Sequence, residues 1–406
     1  MSPRTPSSWR RSAAAMTLYA TLALALTYPY VRDLRVMEPG DAAFFSWEVA
    51  WTLHALTTDP ARLPHANIYH PERYAFGMDE PILGSSILLL PLWAFTHDAV
   101  LLLNLLRLLI FTLCGFHAYL LAKELGCDDG PALLAGAAFS FSPLRMDQVG
   151  HLSTLGAQWL PLVLLYLHRY ARTGRLRHAA AAGAFFGLAG WACGYHGIIG
   201  LAVLPFAVVP LFWGRWSRLW GLTLAAALAG AALLPLERLH ALAFGPHGFE
   251  RGRDDALLYS ASLEAFLASH SWNRLYGSLT ESFRDTGGGT LFPGVVIPGI
   301  IVAGVVGLCR RRTAPSRVAI GLGALAVASA LIALGPEIRV ANQTLFAGPF
   351  EGLRETIPAF RFIRVTTRAS VFIALALPLL AARALQPVAQ RHAWVAGLAI
   401  LALAEG

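Results

Sequence analysis

Three short clusters of ionisable residues interrupt an otherwise apolar chain, and any chemistry has to be done there. The first is Glu38-Pro39-Gly40-Asp41. A proline–glycine turn followed by a helical pattern puts Asp41 at a helix N-cap, where aspartate commonly accepts a hydrogen bond from a backbone amide. The competing role is an acid–base one, with the carboxylate free. The second cluster, SPLRMDQVGHL, packs Arg145, Asp147, Gln148 and His151 between two apolar stretches. An Arg–Asp pair on a solvated loop is worth little energetically, whereas His151, just after Gly150, suits the mouth of a cavity. The third is FRFIRVTTR, with Arg361, Arg364 and Arg368. Guanidinium groups match phosphate oxygens bidentately, and spacings of three and four put all three near one face of a helix. Anchoring at lipid headgroup depth is the competing role for them.

The elements that must position these clusters follow from composition. Of 406 residues, 56% are hydrophobic and only 14% charged, against roughly a quarter charged in a soluble domain. Several apolar runs exceed about 18 residues, the length that crosses a bilayer. The pattern predicts an all-α polytopic membrane protein and excludes a soluble enzyme, a disordered chain and a disulfide-rich secreted module. Candidate spans lie at 13–31, 98–122, 131–144, 154–170, 178–194, 197–213, 218–236, 291–309, 317–334, 369–384 and 393–406, about eleven. The run 84–96 is short, contains a proline and reads as re-entrant or interfacial. After Asp41, Phe44, Trp47 and Trp51 recur at helical spacing with Ala55, while Ser46, Glu48 and Thr52 lie elsewhere. That predicts a helix lying flat at the interface with its aromatic rings at headgroup depth.

Charge sets the orientation. With the N-terminus cytoplasmic, the inner connections 1–12, 123–130, 168–178, 214–218, 310–317 and 383–392 hold 16 Lys/Arg and three acids. The segments 32–98, 145–153, 237–290 and 335–368 then face outward and hold most of the acids. RYARTGRLRH and CRRRTAPSR are the clearest positive-inside signals. The net charge of +8 therefore reads as membrane orientation, and no nucleic-acid partner is expected. Cys114, Cys127, Cys193 and Cys309 show no metal or disulfide spacing. Arg107, inside a span, needs a partner, for which Glu48 or Asp98 is available. Tyr195 and His196 sit at an outer span junction, where an aromatic belt is expected. Gly287-Gly288-Gly289 reads as a hinge and Asn342-Gln343-Thr344 as a sequon match.

An outward acid opening a juxtamembrane helix after the first span resembles the GT-C superfamily of polytopic glycosyltransferases, in a bacterial branch. EPGDAAFFSWEVAW, ANIYHPERYAF, AFSFSPLRMDQVGHLSTLGAQWLPLVLLYL, YSASLEAFLASHSWNRLYG with TLFPGVV, and IPAFRFIRVTTRAS carry the resemblance, in order and over nearly the whole chain. It implies a single membrane domain over 1–406, a polyprenyl-phosphate-linked sugar as donor, transfer on the extracytoplasmic face of a bacterial plasma membrane, and membrane lipids as surroundings. It implies Asp41 as catalytic base and Asp147 as an acid that helps bind acceptor or metal. Arg145, His151, Arg361, Arg364 and Glu38 complete the expected substrate-binding set. Such proteins often continue into a further outer C-terminal region, which is expected to be missing from this chain. No cofactor is expected with certainty. A strict DxD motif is absent, since Pro39 precedes Gly40-Asp41, so a divalent metal stays open. The chemistry needs a base for the acceptor hydroxyl and cations for the departing phosphate. A multi-span transporter or flippase of a lipid-linked precursor is the other class. Ionisable residues along a central path and an inverted repeat would mark it, whereas here the acids gather in the outer loops.

Overall fold

The computed structural model describes residues 6–248, 251–284, 289–341 and 343–406, with side chains from Trp9 onward. Gly287, Gly288 and Asn342, and with them the hinge and sequon readings, lie outside the described residues. The fold is predominantly α-helical. Helices of eight or more residues are α1 (Pro6–Leu26), α2 (Ala42–Thr58), α3 (Ala99–Glu124), α4 (Asp129–Phe141), α5 (Leu160–Thr173), α6 (Leu176–Ala192) and α7 (Gly194–Val208). They continue with α8 (Trp220–Phe244), α9 (Val296–Arg311), α10 (Arg317–Ala333), α11 (Pro349–Thr356), α12 (Ser370–Leu385) and α13 (His392–Ala404). An antiparallel hairpin, β1 (Glu337–Val340) and β2 (Gln343–Ala347), precedes α11.

Four helical stretches among the described residues are long and apolar enough to cross a membrane: Ala99–Glu124, Gly194–Phe212, Trp216–His247 and Thr366–Val388. The expectation of about eleven spans is not supported. Several expected spans fold as shorter helices, such as the 13-residue α4 and the 17-residue α10, below the roughly 20 residues a crossing needs. Capping and turn residues inside the apolar runs end them early: Ser142-Pro143 closes α4. Conversely, α8 runs through Pro235 to Phe244, so the segment expected as an outer loop from residue 237 starts later. The run 83–93 is a broken apolar helix, interrupted by a 3-10 turn at Ile87–Leu89.

The central helices are α3, α4 and α12, packed on one another, with α1 against α3 and α13 against α4. Close approach depends on small residues. Tyr19 of α1 is fully buried in a slot left open by Gly115 of α3 and Gly136 of α4, where any Cβ would strike its ring. Its hydroxyl donates to the Leu133 carbonyl at 3.1 Å. Small residues serve the same purpose wherever lipid removes the usual hydrophobic drive between helices. Gly84 lets residues 83–86 lie directly on α6, since a Cβ there would meet the Leu188 carbonyl.

α2 differs from its expected role. Phe45, Val49 and Leu53 face the core, while the opposite aromatic face is covered by the chain's own loop. Trp47 and Trp51 pack with Leu63, Ile68 and Tyr74 around Phe76 and Leu239. The Trp47 indole donates to the Asn67 side chain at 2.8 Å and that of Trp51 to the Leu63 carbonyl at 3.1 Å. The aromatic stripe therefore clamps residues 63–76.

Candidate functional site

The three clusters meet at one end of the bundle, and a further acid joins them. Gly40, with φ +89°, makes the turn that delivers Asp41 to the start of α2. Asp41 occupies the N-cap position, but its side chain makes no capping hydrogen bond. The carboxylate is 62% exposed, and its Oδ2 lies 3.8 Å from Nε2 of His151. The capping role is thus not the one observed.

Beside this pair, Glu80 accepts a 2.7 Å charge-assisted bond from Arg368. The Arg368 guanidinium lies over the ring of Tyr195, 4.3 Å from its centroid. The Tyr195 hydroxyl accepts from the amides of Arg364 and Val365 at 3.3 and 3.4 Å, and Arg364 lies over Tyr259 at 4.9 Å. His151 registers all of these charges. Partial burial holds its imidazole below the usual range, Arg368 and Arg364 push the same way, and Asp41 and Glu80 oppose them.

A buried support orients the cluster. Glu48 of α2 is 2% exposed and accepts from the Ile82 amide at 2.6 Å. Burial pushes its carboxyl well above the usual range, and its bond to Ile82 fixes the backbone two residues beyond Glu80. Thr366, also buried, donates to the Ala333 carbonyl at 3.1 Å and ties the arginine segment to α10.

Several expected site residues have other roles. Glu38 pairs with Arg107 at 2.8 Å in a nearly dry environment. Asn104 binds Arg107 on one side and the carbonyls of Leu34 and Val36 on the other. Glu38, and neither Glu48 nor Asp98, is therefore the partner of Arg107, and the pair locks residues 34–38 onto α3. Arg145 does not pair with Asp147 and does not line the cleft. It is 1% exposed and donates to the carbonyls of Thr154 and Leu155 at 3.2 and 2.5 Å. The one-turn helix Pro143–Met146 turns it inward, where it holds the loop carrying His151.

Asp147 points elsewhere: Thr290 hydrogen-bonds its carboxyl, and burial raises it to about 7. Arg361 also leaves the cluster. It is exposed, with Nε 3.4 Å from the Arg354 carbonyl. The expected single helical face does not form, because two 3-10 turns, Pro358–Phe362 and Thr366–Ala369, flank an extended Ile363. Glu80 had no local signal, since its role is defined by Arg368 from far along the chain, and Tyr195, expected in an aromatic belt, packs under the Arg368 guanidinium. Among the described residues no three His, Cys, Asp or Glu side chains gather as a metal site requires.

Between α7 and α10 lies an almost wholly apolar groove of about 520 Å³. Ile198 and Leu201 line one wall, Val327 and Leu331 the other, and Phe360 closes one end. Ile198 lies three residues, just under one helical turn, beyond Tyr195, and Phe360 precedes Arg364 by four residues, so residues of groove and cluster alternate closely along the chain.

Fold and site together define a helical protein, fit by four long apolar helices for a bilayer, with a charged cleft at one end of the bundle. A family model described as a domain of unknown function (DUF6311) matches residues 67–404, and the protein belongs to that family. Glu80, His151, Tyr195, Arg364 and Arg368 fall within the match, and Asp41 precedes it. No curated protein matches the chain.

Proposed function

We propose that this protein is a membrane glycosyltransferase that moves a sugar from a polyprenyl-phosphate donor to a hydroxyl acceptor on the extracytoplasmic side of a bacterial plasma membrane. The observation that carries the reading is the Asp41–His151 pair, with Asp41 capping nothing, in the same cluster as Arg364 and Arg368. Glycosyl transfer from a lipid phosphate needs those two kinds of group close together: a proton acceptor for the nucleophile, and cations where charge develops on the leaving phosphate. Arg364 is the better phosphate ligand, because Arg368 is committed to Glu80. The apolar groove ending at Phe360 supports a substrate with a hydrocarbon chain, which it would seat with the phosphate toward Arg364. The positive-inside charge pattern supports a cytoplasmic N-terminus and an outward-facing cleft.

The test is mass spectrometry of lipid-linked sugars and envelope glycans in a deletion strain. The reading expects one polyprenyl-phosphate sugar to accumulate and one glycan substituent to disappear. Unchanged profiles of both would refute it.

A further inference from the structure

Resting on the glycosyl-transfer reading, we infer that His151 takes the proton from the acceptor hydroxyl and that Asp41 orients and charge-stabilises it. The geometry comes first. Asp41 faces Nε2 of His151, which makes Nε2 the protonated nitrogen and leaves the Nδ1 lone pair free to accept. The imidazole side chain is 52% exposed, so Nδ1 can reach a hydroxyl entering the cleft. A separation of 3.8 Å is long for a hydrogen bond, as is common before substrate binds.

The surroundings suit the role. Arg364 and Arg368 from the segment before α12 favour the neutral imidazole, and Asp41 from α2 and Glu80 from the 78–82 segment favour the imidazolium. With burial added, the balance keeps His151 neutral at pH 7. A neutral imidazole, with an ordinary pKa of about 6.5, is a much stronger base there than an ordinary carboxylate near 3.9.

The step balances. The acceptor O–H proton moves to Nδ1 as the acceptor oxygen forms its bond to the anomeric carbon. The bond from that carbon to the phosphate oxygen breaks, and its electron pair leaves with the lipid phosphate, beside Arg364. Asp41 then faces an imidazolium and stabilises it.

Two measurements test this. The first needs no substrate: carbethoxylation of His151 by diethyl pyrocarbonate, followed by peptide mass spectrometry across pH in detergent-solubilised protein. The midpoint should lie below 6.5 and move lower still in Asp41→Asn, which removes a charge that favours the imidazolium. A midpoint that Asp41→Asn does not move would overturn the pairing. The second uses purified protein and a panel of farnesyl-phosphate hexoses and pentoses. His151→Gln should lower kcat on the order of 10²–10⁴-fold, with KM for the donor little changed, and should abolish the acid limb of the kcat/KM profile. Asp41→Asn should move that limb to lower pH. Full activity with an unchanged limb in His151→Gln would overturn the inference and leave Asp41 as the base. A wild type inactive on every donor would instead sink the glycosyl-transfer reading itself.

Discussion

Two acids three residues apart, Glu38 and Asp41, have opposite roles, and substitution at each should show it. Asp41→Asn removes a carboxylate that caps nothing and is mostly exposed. Thermal unfolding in detergent should therefore stay within about 0.5 kcal/mol of wild type, while transfer falls because His151 loses the carboxylate that orients it. Glu38→Gln leaves Arg107 buried without a counter-charge, which should cost about 3–5 kcal/mol. If Asp41→Asn were the more destabilising of the two, the assignment of roles would be reversed. Asp147 makes a separate prediction. Its folded-state pKa is raised to about 7, so the folded chain holds a proton that the unfolded chain has released. Its contribution to stability is complete below the ordinary carboxylate pKa, near 4, and is lost as pH rises through 7. The difference in unfolding temperature between wild type and Asp147→Asn should shift against wild type as pH rises from 5 to 8. A constant difference would mean Asp147 is not buried as described.

At the scale of elements, α2 shows what a sequence pattern can and cannot convey. The period of its apolar residues is plain, and so is the turn that starts it. Its cover is not, because both faces are apolar enough to bury. The aromatic stripe resembles an interfacial belt until residues 63–76 fold over it. The burial of Glu48 was hidden for the same reason, since a lone acid on a helix ordinarily marks the solvent face. Glu48→Gln keeps an oxygen for the Ile82 amide and should be almost silent. Glu48→Ala orphans that amide, should cost about 1–3 kcal/mol, and should speed hydrogen exchange across 78–82. Equal exchange in both variants would remove Glu48 from the support of Glu80. The arginine segment illustrates the converse limit. Spacings of three and four suggested one helical face, but extended Ile363 sends Arg361 away and leaves Arg364 and Arg368 in the cleft. Arg145 and Asp147 looked like a pair because they are neighbours; a one-turn helix points them to different places. Asp41, His151 and Arg364 were legible because each is a polar residue at the end of an apolar run. Glu80 was not, because its partner Arg368 is 288 residues away.

For the whole molecule, the long apolar stretches at 98–122 and 197–213 correspond to α3 and α7, but run length alone overcounted the crossings. Apolar runs interrupted by Ser-Pro, Gly and paired arginines fold as shorter helices, of which α4 packs at the centre between α3 and α12. Orientation rests on charge, and reporter fusions test it: a fusion at Arg175 or Arg312 should report the cytoplasm, and an external signal at either would invert the map. The central claim is that the cleft of Asp41, His151 and Arg364 cleaves a lipid-phosphate sugar. The most direct measurement is release of free polyprenyl phosphate from radiolabelled polyprenyl-phosphate hexoses and pentoses by the purified protein in proteoliposomes. At least one donor should be turned over by wild type, with His151→Gln slower on the order of 10²–10⁴-fold, Asp41→Asn slower than wild type, and Arg364→Ala requiring more donor for half-maximal rate. A folded wild type that leaves every donor intact, or an Asp41→Asn variant that matches it, would contradict the account.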